Sequence, residues 1–272
     1  MRARTPIRGQ TSNLISPASR NTSIQILSIH GACQSRRVAR FGLATGNSAT
    51  AIFIFVSEDG SISGWNPTLD QTHAIIAVDN GTNNGVNHAV YKSATLGVAN
   101  SHNFLYVSNF HTGQVETYDE SFHQVSPNGF VDPNLPDGYA PFGIRNFNGE
   151  IFVTYAKQDH ARHDDVACPG CGFVNVFDTS GNFLRRLISN GNLNAPWGLA
   201  LVEGSNLWVG NFGDGLINDY DGTTPETFIE TLMRADGTPL QFDGLWDLLP
   251  FTRSCPGKGV RLTSANTNLH ML

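Results

Sequence analysis

The densest run of chemistry-bearing side chains is KQDHARHDDVACPGC at 157–171. His160, His163, Cys168 and Cys171 stand in the spacing H-x2-H-x4-C-x2-C. Two imidazoles and two thiolates form the four-ligand nitrogen and sulfur set that suits zinc. The spacing is shorter than in common zinc modules, and Pro169-Gly170 between the cysteines suits a tight turn, so a local disulfide or inert thiols is the competing account. Asp159, Asp164 and Asp165 crowd the same run. Clustered carboxylates repel unless solvated, hydrogen-bonded or cation-bound, and their hard oxygens suit calcium. Capping of the loop's own amides by these side chains is the alternative. No G-x-S-x-G, H-E-x-x-H or phosphate loop is present, and no catalytic residue is assigned.

The elements that must position this run form a repeat. Segments 53–66, 105–119, 151–178 and 207–221 each read as a strand, a Gly-centred turn and a second alternating strand. Each ends aromatic-Asp or aromatic-Asn: Trp65-Asn66, Tyr118-Asp119, Phe177-Asp178 and Tyr220-Asp221. Glu58-Asp59, Asn109 and Asn211 open equivalent turns, a place where Asx side chains bond backbone amides, and Asp214 between two glycines reads as a hairpin turn. A further strand opening on Gly precedes each pair, with Gly97, Gly143, Gly198 and Gly244 as markers at intervals of 46, 55 and 46 residues. An insertion at roughly 159–171 accounts for the long interval. Three or four strands in each such period predict the blades of a β-propeller. One four-stranded blade cannot bury both faces, whereas blades stacked around an axis can.

Composition agrees. Charged residues are 15% of the chain, hydrophobic residues 40%, and Gly 28 of 272. No apolar run reaches the roughly 18–20 residues of a membrane span. Residues 1–50 hold seven Arg and no acid, which leaves 10 basic and 23 acidic residues in 51–272. A body with that excess of acid repels a phosphate backbone, so nucleic acid is excluded as a partner.

FIFVSEDGSISGWNP, FVDPNLPDGYAPFGI, VTYAKQD…HDDV…GFVNVFD and VGNFGDGLIN together resemble an uncharacterised six-bladed propeller family. Its members occur mainly among bacterial exported proteins, and it is distantly similar to NHL-repeat and gluconolactonase-type propellers. The likeness covers about 51–250. It implies an extracellular or periplasmic setting, although no signal peptide is visible in the sequence. Gluconolactonase-like propellers hold a catalytic calcium on Asn or Asp placed just before the Gly of each innermost strand. The matching residues here are Leu96, Phe142, Trp197 and Asp243, of which one is a ligand type. Phe142 and Trp197 read instead as channel packing or as stacking platforms for a ring.

Residues 1–50 do not continue the likeness beyond TSNLIS at 11–16. With codons chosen from the allowed set, the frame next to Ile24–Gly46 reads NPNLINPWGLSIAPGSPFWVSDG. That string holds NPWGL and FWVSD, close to APWGL at 195–199 and LWVGN at 207–211. Residues 17–46 are therefore expected to be an out-of-frame first blade, a reading that sequencing of the locus checks. The expected domains are a non-core segment 1–50, propeller blades over 51–250 and an irregular tail 251–272.

The fold class expected is all-β, an incomplete propeller of the six-bladed type with about four blades in an open arc, exposed edges and poor solubility. The function expected is a non-enzymatic scaffold that binds a small molecule, glycan or protein through Phe142, Trp197, Asp243 and the blade loops. The alternatives are a calcium-dependent lactonase or esterase-like hydrolase and an inactive, truncated or mispredicted product.

Overall fold

Short runs of β-branched and aromatic residues, cut by Gly turns, can satisfy their backbones only by pairing with neighbours. In the computed structural model they do so almost entirely within local sheets. The structure describes residues 24–28, 41–45, 47–81, 89–125, 129–202, 205–251, 259–264 and 267–271.

Strand β1 (Ile24–Ser28) pairs antiparallel with β4 (Phe53–Ser57), and β2 (Gly42–Thr45) and β3 (Asn47–Thr50) form a hairpin between them. Strands β5 (Ser61–Trp65) and β6 (Ile75–Asp79) complete the first four-stranded sheet. The second sheet consists of β7 (Tyr91–Ala99), β8 (His102–Asn109), β9 (Gln114–Tyr118) and β10 (Gln124–Val125). The third consists of β11 (Tyr139–Phe147), β12 (Glu150–Lys157), β13 (Phe173–Asp178) and β14 (Phe183–Ser189). The fourth consists of β15 (Pro196–Leu201), β16 (Asn206–Asn211), β17 (Ile217–Asp221) and β18 (Phe228–Thr231). A three-stranded sheet of β19 (Leu245–Phe251), β20 (Gly259–Ser264) and β21 (Thr267–Met271) follows.

The first strands of successive sheets lie side by side: β1 against β7, β7 against β11, β11 against β15, and β15 against β19. Burial falls off outward from that line. β15 is buried along nearly its whole length, whereas β18 is exposed at three of its four positions. A continuous apolar strand inside and a polar-flanked strand outside is what stacking blades about an axis requires. Contact is closest at Gly143, where a Cβ would collide with the Trp197 carbonyl oxygen. Among the described residues no strand pairs the first sheet with the last, so the arc is open.

Two boundaries differ from those expected. Phe41 and Leu43, in the segment assigned outside the core, are buried in the first core cluster beside Ile54, Ile62 and Tyr91. The cause is local fit. Phe41 meets the Phe122 ring at 5.2 Å between centroids, and Leu43 fills the space left by Gly64, where a Cβ would lie 2.7 Å from its Cδ2. The tail expected to be irregular continues as β20 and β21, because β19 offers them a free edge to pair with. Residues 17–23, 29–40 and 46 of the proposed out-of-frame stretch lie outside the described residues.

Candidate functional site

Four of the innermost strands, β7, β11, β15 and β19, each carry one β-bulge, and the bulges fall on corresponding residues; β1 pairs with β4 without one. The register shifts lie between Tyr91 and Ser93, between Pro141 and Ile144, between Pro196 and Gly198, and between Leu245 and Asp247. A bulge breaks the ladder for one residue and re-aims its side chain. The re-aimed residues are Lys92, Phe142, Trp197 and Trp246. Their intervals are 50, 55 and 49 residues. The Gly markers were therefore out of register at both ends. Ser93, not Gly97, matches Gly143, and Asp247, not Gly244, matches Gly198. Leu96 and Asp243 leave the ring of channel positions, and Lys92 and Trp246 enter it.

These four side chains form a ladder. The Lys92 Nζ lies 5.7 Å from the Phe110 ring centroid and 5.9 Å from that of Phe142. Phe142 meets Trp197 at 4.5 Å, and Trp197 stacks on Trp246 at 4.8 Å with planes 28° apart. Phe110 and Phe212 close the flank, Phe110 at 5.1 Å from Phe142 and Phe212 at 5.8 Å from Trp197. Each follows an Asn that ends its strand, Asn109 and Asn211, so this pair too belongs to the repeat. Tilted and offset aromatic pairs of this kind each add about 0.5–1.5 kcal/mol beyond their area burial. The Trp246 indole Nε1 is buried and has no hydrogen-bond partner among the described residues.

A cleft of about 390 Å³ opens over the ladder, with Glu58, Lys92, Asp164 and Asp165 facing Phe142, Trp197, Phe212 and Trp246. Lys92 is 3% exposed and donates to Glu58 Oε1 at 2.5 Å and to Asp164 Oδ1 at 3.3 Å. The insertion thus reaches from the third sheet onto the second. It is also tied to the fourth, since Cys168 N donates to Asn194 Oδ1 at 2.7 Å and Gly170 N to Leu193 O at 2.9 Å. Burial drives the Asp165 carboxyl up to about 6; Asp164 and Glu58 push the same way and Lys92 opposes them. Burial also pushes on Asp164, but Lys92 and His163 prevail and hold its carboxyl below the usual range. Arg145 of β11 donates to Asp247 Oδ1 at 2.6 Å, linking the third sheet to the fifth.

The expected metal sets are not assembled. Cys168 and Cys171 are joined in a disulfide, which removes both thiolates from the zinc set, and His160 and His163 are exposed. Asp159 Oδ1 accepts from the His163 and Asp164 amides, at 2.8 and 3.3 Å, while Asp164 faces Lys92, so the three aspartates of the calcium set do not converge. Among the described residues no group of three or more His, Cys, Asp or Glu side chains is placed to hold a metal ion. Asp243 is exposed and lies outside the cleft lining. Asp59 and Asn109 cap turns, with Asp59 Oδ1 accepting from Ser61 N at 3.0 Å and Asn109 Oδ1 from Thr112 N at 3.2 Å. Glu58 accepts from Lys92 of the next sheet.

The likeness to known proteins follows the sheets. A crystal structure of a nidogen/laminin complex superposes with a TM-score of 0.51 at 13% identity, covering 78% of this chain and 67% of that one. The fold is a β-propeller. A streptogramin B lyase structure matches with a TM-score of 0.48 at 10% identity, over 92% of this chain and 72% of that one. No known family model matches the chain. Two uncharacterised proteins of Acanthamoeba polyphaga mimivirus are similar in sequence. One is 31% identical over 77% of this chain and 57% of its own length, the other 28% identical over 76% and 54%. The chain spans about half the length of these curated relatives.

Proposed function

We propose that the protein is a binding scaffold without catalytic chemistry, and that its ligand is a small molecule held in the cleft over Phe142, Trp197 and Trp246. The observation that carries this reading is the ladder itself. Four corresponding bulges bring one ammonium and three aromatic rings to the lining of one cleft, where a catalytic propeller would need convergent oxygen ligands. Apolar walls with a few placed polar groups are the ordinary composition of a ligand site, and 390 Å³ lies in the ordinary range of about 300–1,000 Å³. The affinity of 51–250 with six-bladed propellers of exported proteins belongs to the same proposal. The Cys168–Cys171 disulfide supports it, because such bonds persist in oxidising compartments.

The test is to label the four tryptophans with 15N and record their indole N–H signals against neutral sugars, amines and aromatic acids. Saturable shifts confined to Trp197 and Trp246 are the expected result. Turnover of a lactone or an aryl ester above background, abolished by Asp165→Asn, would refute the scaffold reading.

A further inference from the structure

The cleft's charges do not balance, and its walls favour one sign. Glu58, Asp164 and Asp165 bring three carboxylates to the opening and Lys92 one ammonium. Lys92, the cation that acts on Asp165, is already bonded to Glu58 and Asp164. With all groups ionised the lining is left two negative charges in excess. The rings of Phe142, Trp197 and Trp246 line the same cleft as the carboxylates, and aromatic quadrupoles attract cations and repel anions. The chain shows the preference on itself, since the Lys92 Nζ sits within 5.9 Å of both the Phe110 and Phe142 ring centroids. That ammonium covers only the first step of the ladder. The Trp197–Trp246 stack has no cation over it among the described residues.

We infer that the cleft binds a small organic ammonium ion, its alkylated head against Trp197 and Trp246 and its charge facing Asp165. This rests on the cleft being the ligand site proposed above and names what that site accepts. The surplus charge adds a second requirement: any further polar group of the ligand is a neutral acceptor, a hydroxyl or carbonyl, and not an anion. A carboxylate at that place is disfavoured by the surplus negative charge. A neutral sugar offers the acceptor but gains nothing from the excess charge, so electrostatic complementarity selects the ammonium.

Choline and 3,3-dimethyl-1-butanol separate charge from shape, because the second replaces the nitrogen with carbon and is otherwise the same molecule. The full chain, labelled at tryptophan, is titrated with each, and with methyl β-D-glucoside as a neutral ring. Choline is expected to shift the Trp197 and Trp246 indole signals saturably, with an affinity at least tenfold above that of its carbon isostere. Asp165→Asn is expected to lower the choline affinity three- to tenfold and to leave the isostere unchanged. A cooperative unfolding transition with a midpoint no lower than the parent's shows that the variant is folded. Equal binding of choline and isostere overturns the inference, as does an Asp165→Asn variant that binds choline normally. A response to the glucoside with none to choline overturns it too, while the ligand-site reading survives. Silence of both indoles toward all three probes overturns both.

Discussion

Trp197 stacks on Trp246 with ring centroids 4.8 Å apart, each indole delivered by the bulge of its own innermost strand. The stack joins the fourth sheet to the fifth where Gly198 lets β19 close on β15, a Cβ there lying 3.0 Å from Leu248 Cγ. Trp197 is 3% exposed and also packs on Phe142. Trp197→Ala is expected to cost about 3–5 kcal/mol, the range for deleting a large buried aromatic. Trp197→Phe keeps a ring in the ladder and should cost less than half as much. Urea denaturation of both variants checks the ratio. Equal losses would show that the ring contacts carry no more than the backbone around them.

Lys92 and Glu58 form the most enclosed ion pair of the cleft, 3% and 12% exposed at their side chains. Breaking a buried pair from one side strands the other charge, which costs about 3–5 kcal/mol for a fully buried pair. Lys92→Met is therefore expected to lose about 2–4 kcal/mol, since Glu58 keeps some contact with water. Adding Glu58→Gln should recover a large part of that loss, because the most enclosed of the carboxylates bonded to Lys92 is then neutral, while Asp164 is 66% exposed at its side chain. A double-mutant cycle reads the coupling directly. Simple additivity of the two losses would show that the pair contributes nothing as a pair.

Asp165 sets a pH dependence of definite sign. Its carboxyl titrates near 6 in the folded protein, above its ordinary value of 3.8. Below both values the group is neutral in either state and costs nothing. As pH rises from about 4 to 6 the unfolded chain ionises first, so stability falls across that window and stays lower above it. The loss is on the order of 3 kcal/mol. Asp165→Asn should remove this slope and be more stable than the parent at pH 7 by the same order, with the two curves meeting near pH 4. The difference between the two stability curves is the quantity to measure, since other carboxylates cancel in it. A flat difference from pH 4 to 7 would place Asp165 in contact with water.

The blades were legible in the sequence because hairpins announce themselves locally, by alternation, Gly turns and aromatic-Asp endings. The channel register was not. Phe142-Gly143 and Trp197-Gly198 share a pattern, but the same places are Lys92-Ser93 and Trp246-Asp247, where a nearby Gly drew the register by four and by three residues. A bulge adds a residue without any fixed residue type, so spacing alone cannot locate it. Glu58 was missed for a different reason. Its turn position predicts a cap, and its partner Lys92 stands 34 residues away in the next sheet. The insertion stands out in the sequence as the densest polar run, and in the fold its charges serve Lys92 and its own amides.

The Cys168–Cys171 bond closes only the turn at the tip of that insertion. A cross-link over so few residues removes little freedom from the unfolded chain, about 2 kcal/mol by the chain-entropy relation. The segment is also held by bonds that do not need it: Cys168 N to Asn194 Oδ1, Gly170 N to Leu193 O, and the amides on Asp159. Reduction is thus expected to lower global stability by no more than about 2 kcal/mol while loosening the strap locally. Hydrogen exchange with and without reductant should show protection lost within 159–171 and kept in β12 and β13, which bracket it. If protection in β15 and β16 fell as well, the disulfide would be anchoring the fourth sheet through Asn194. The loop would then belong to the propeller's stability and not only to the roof of its cleft.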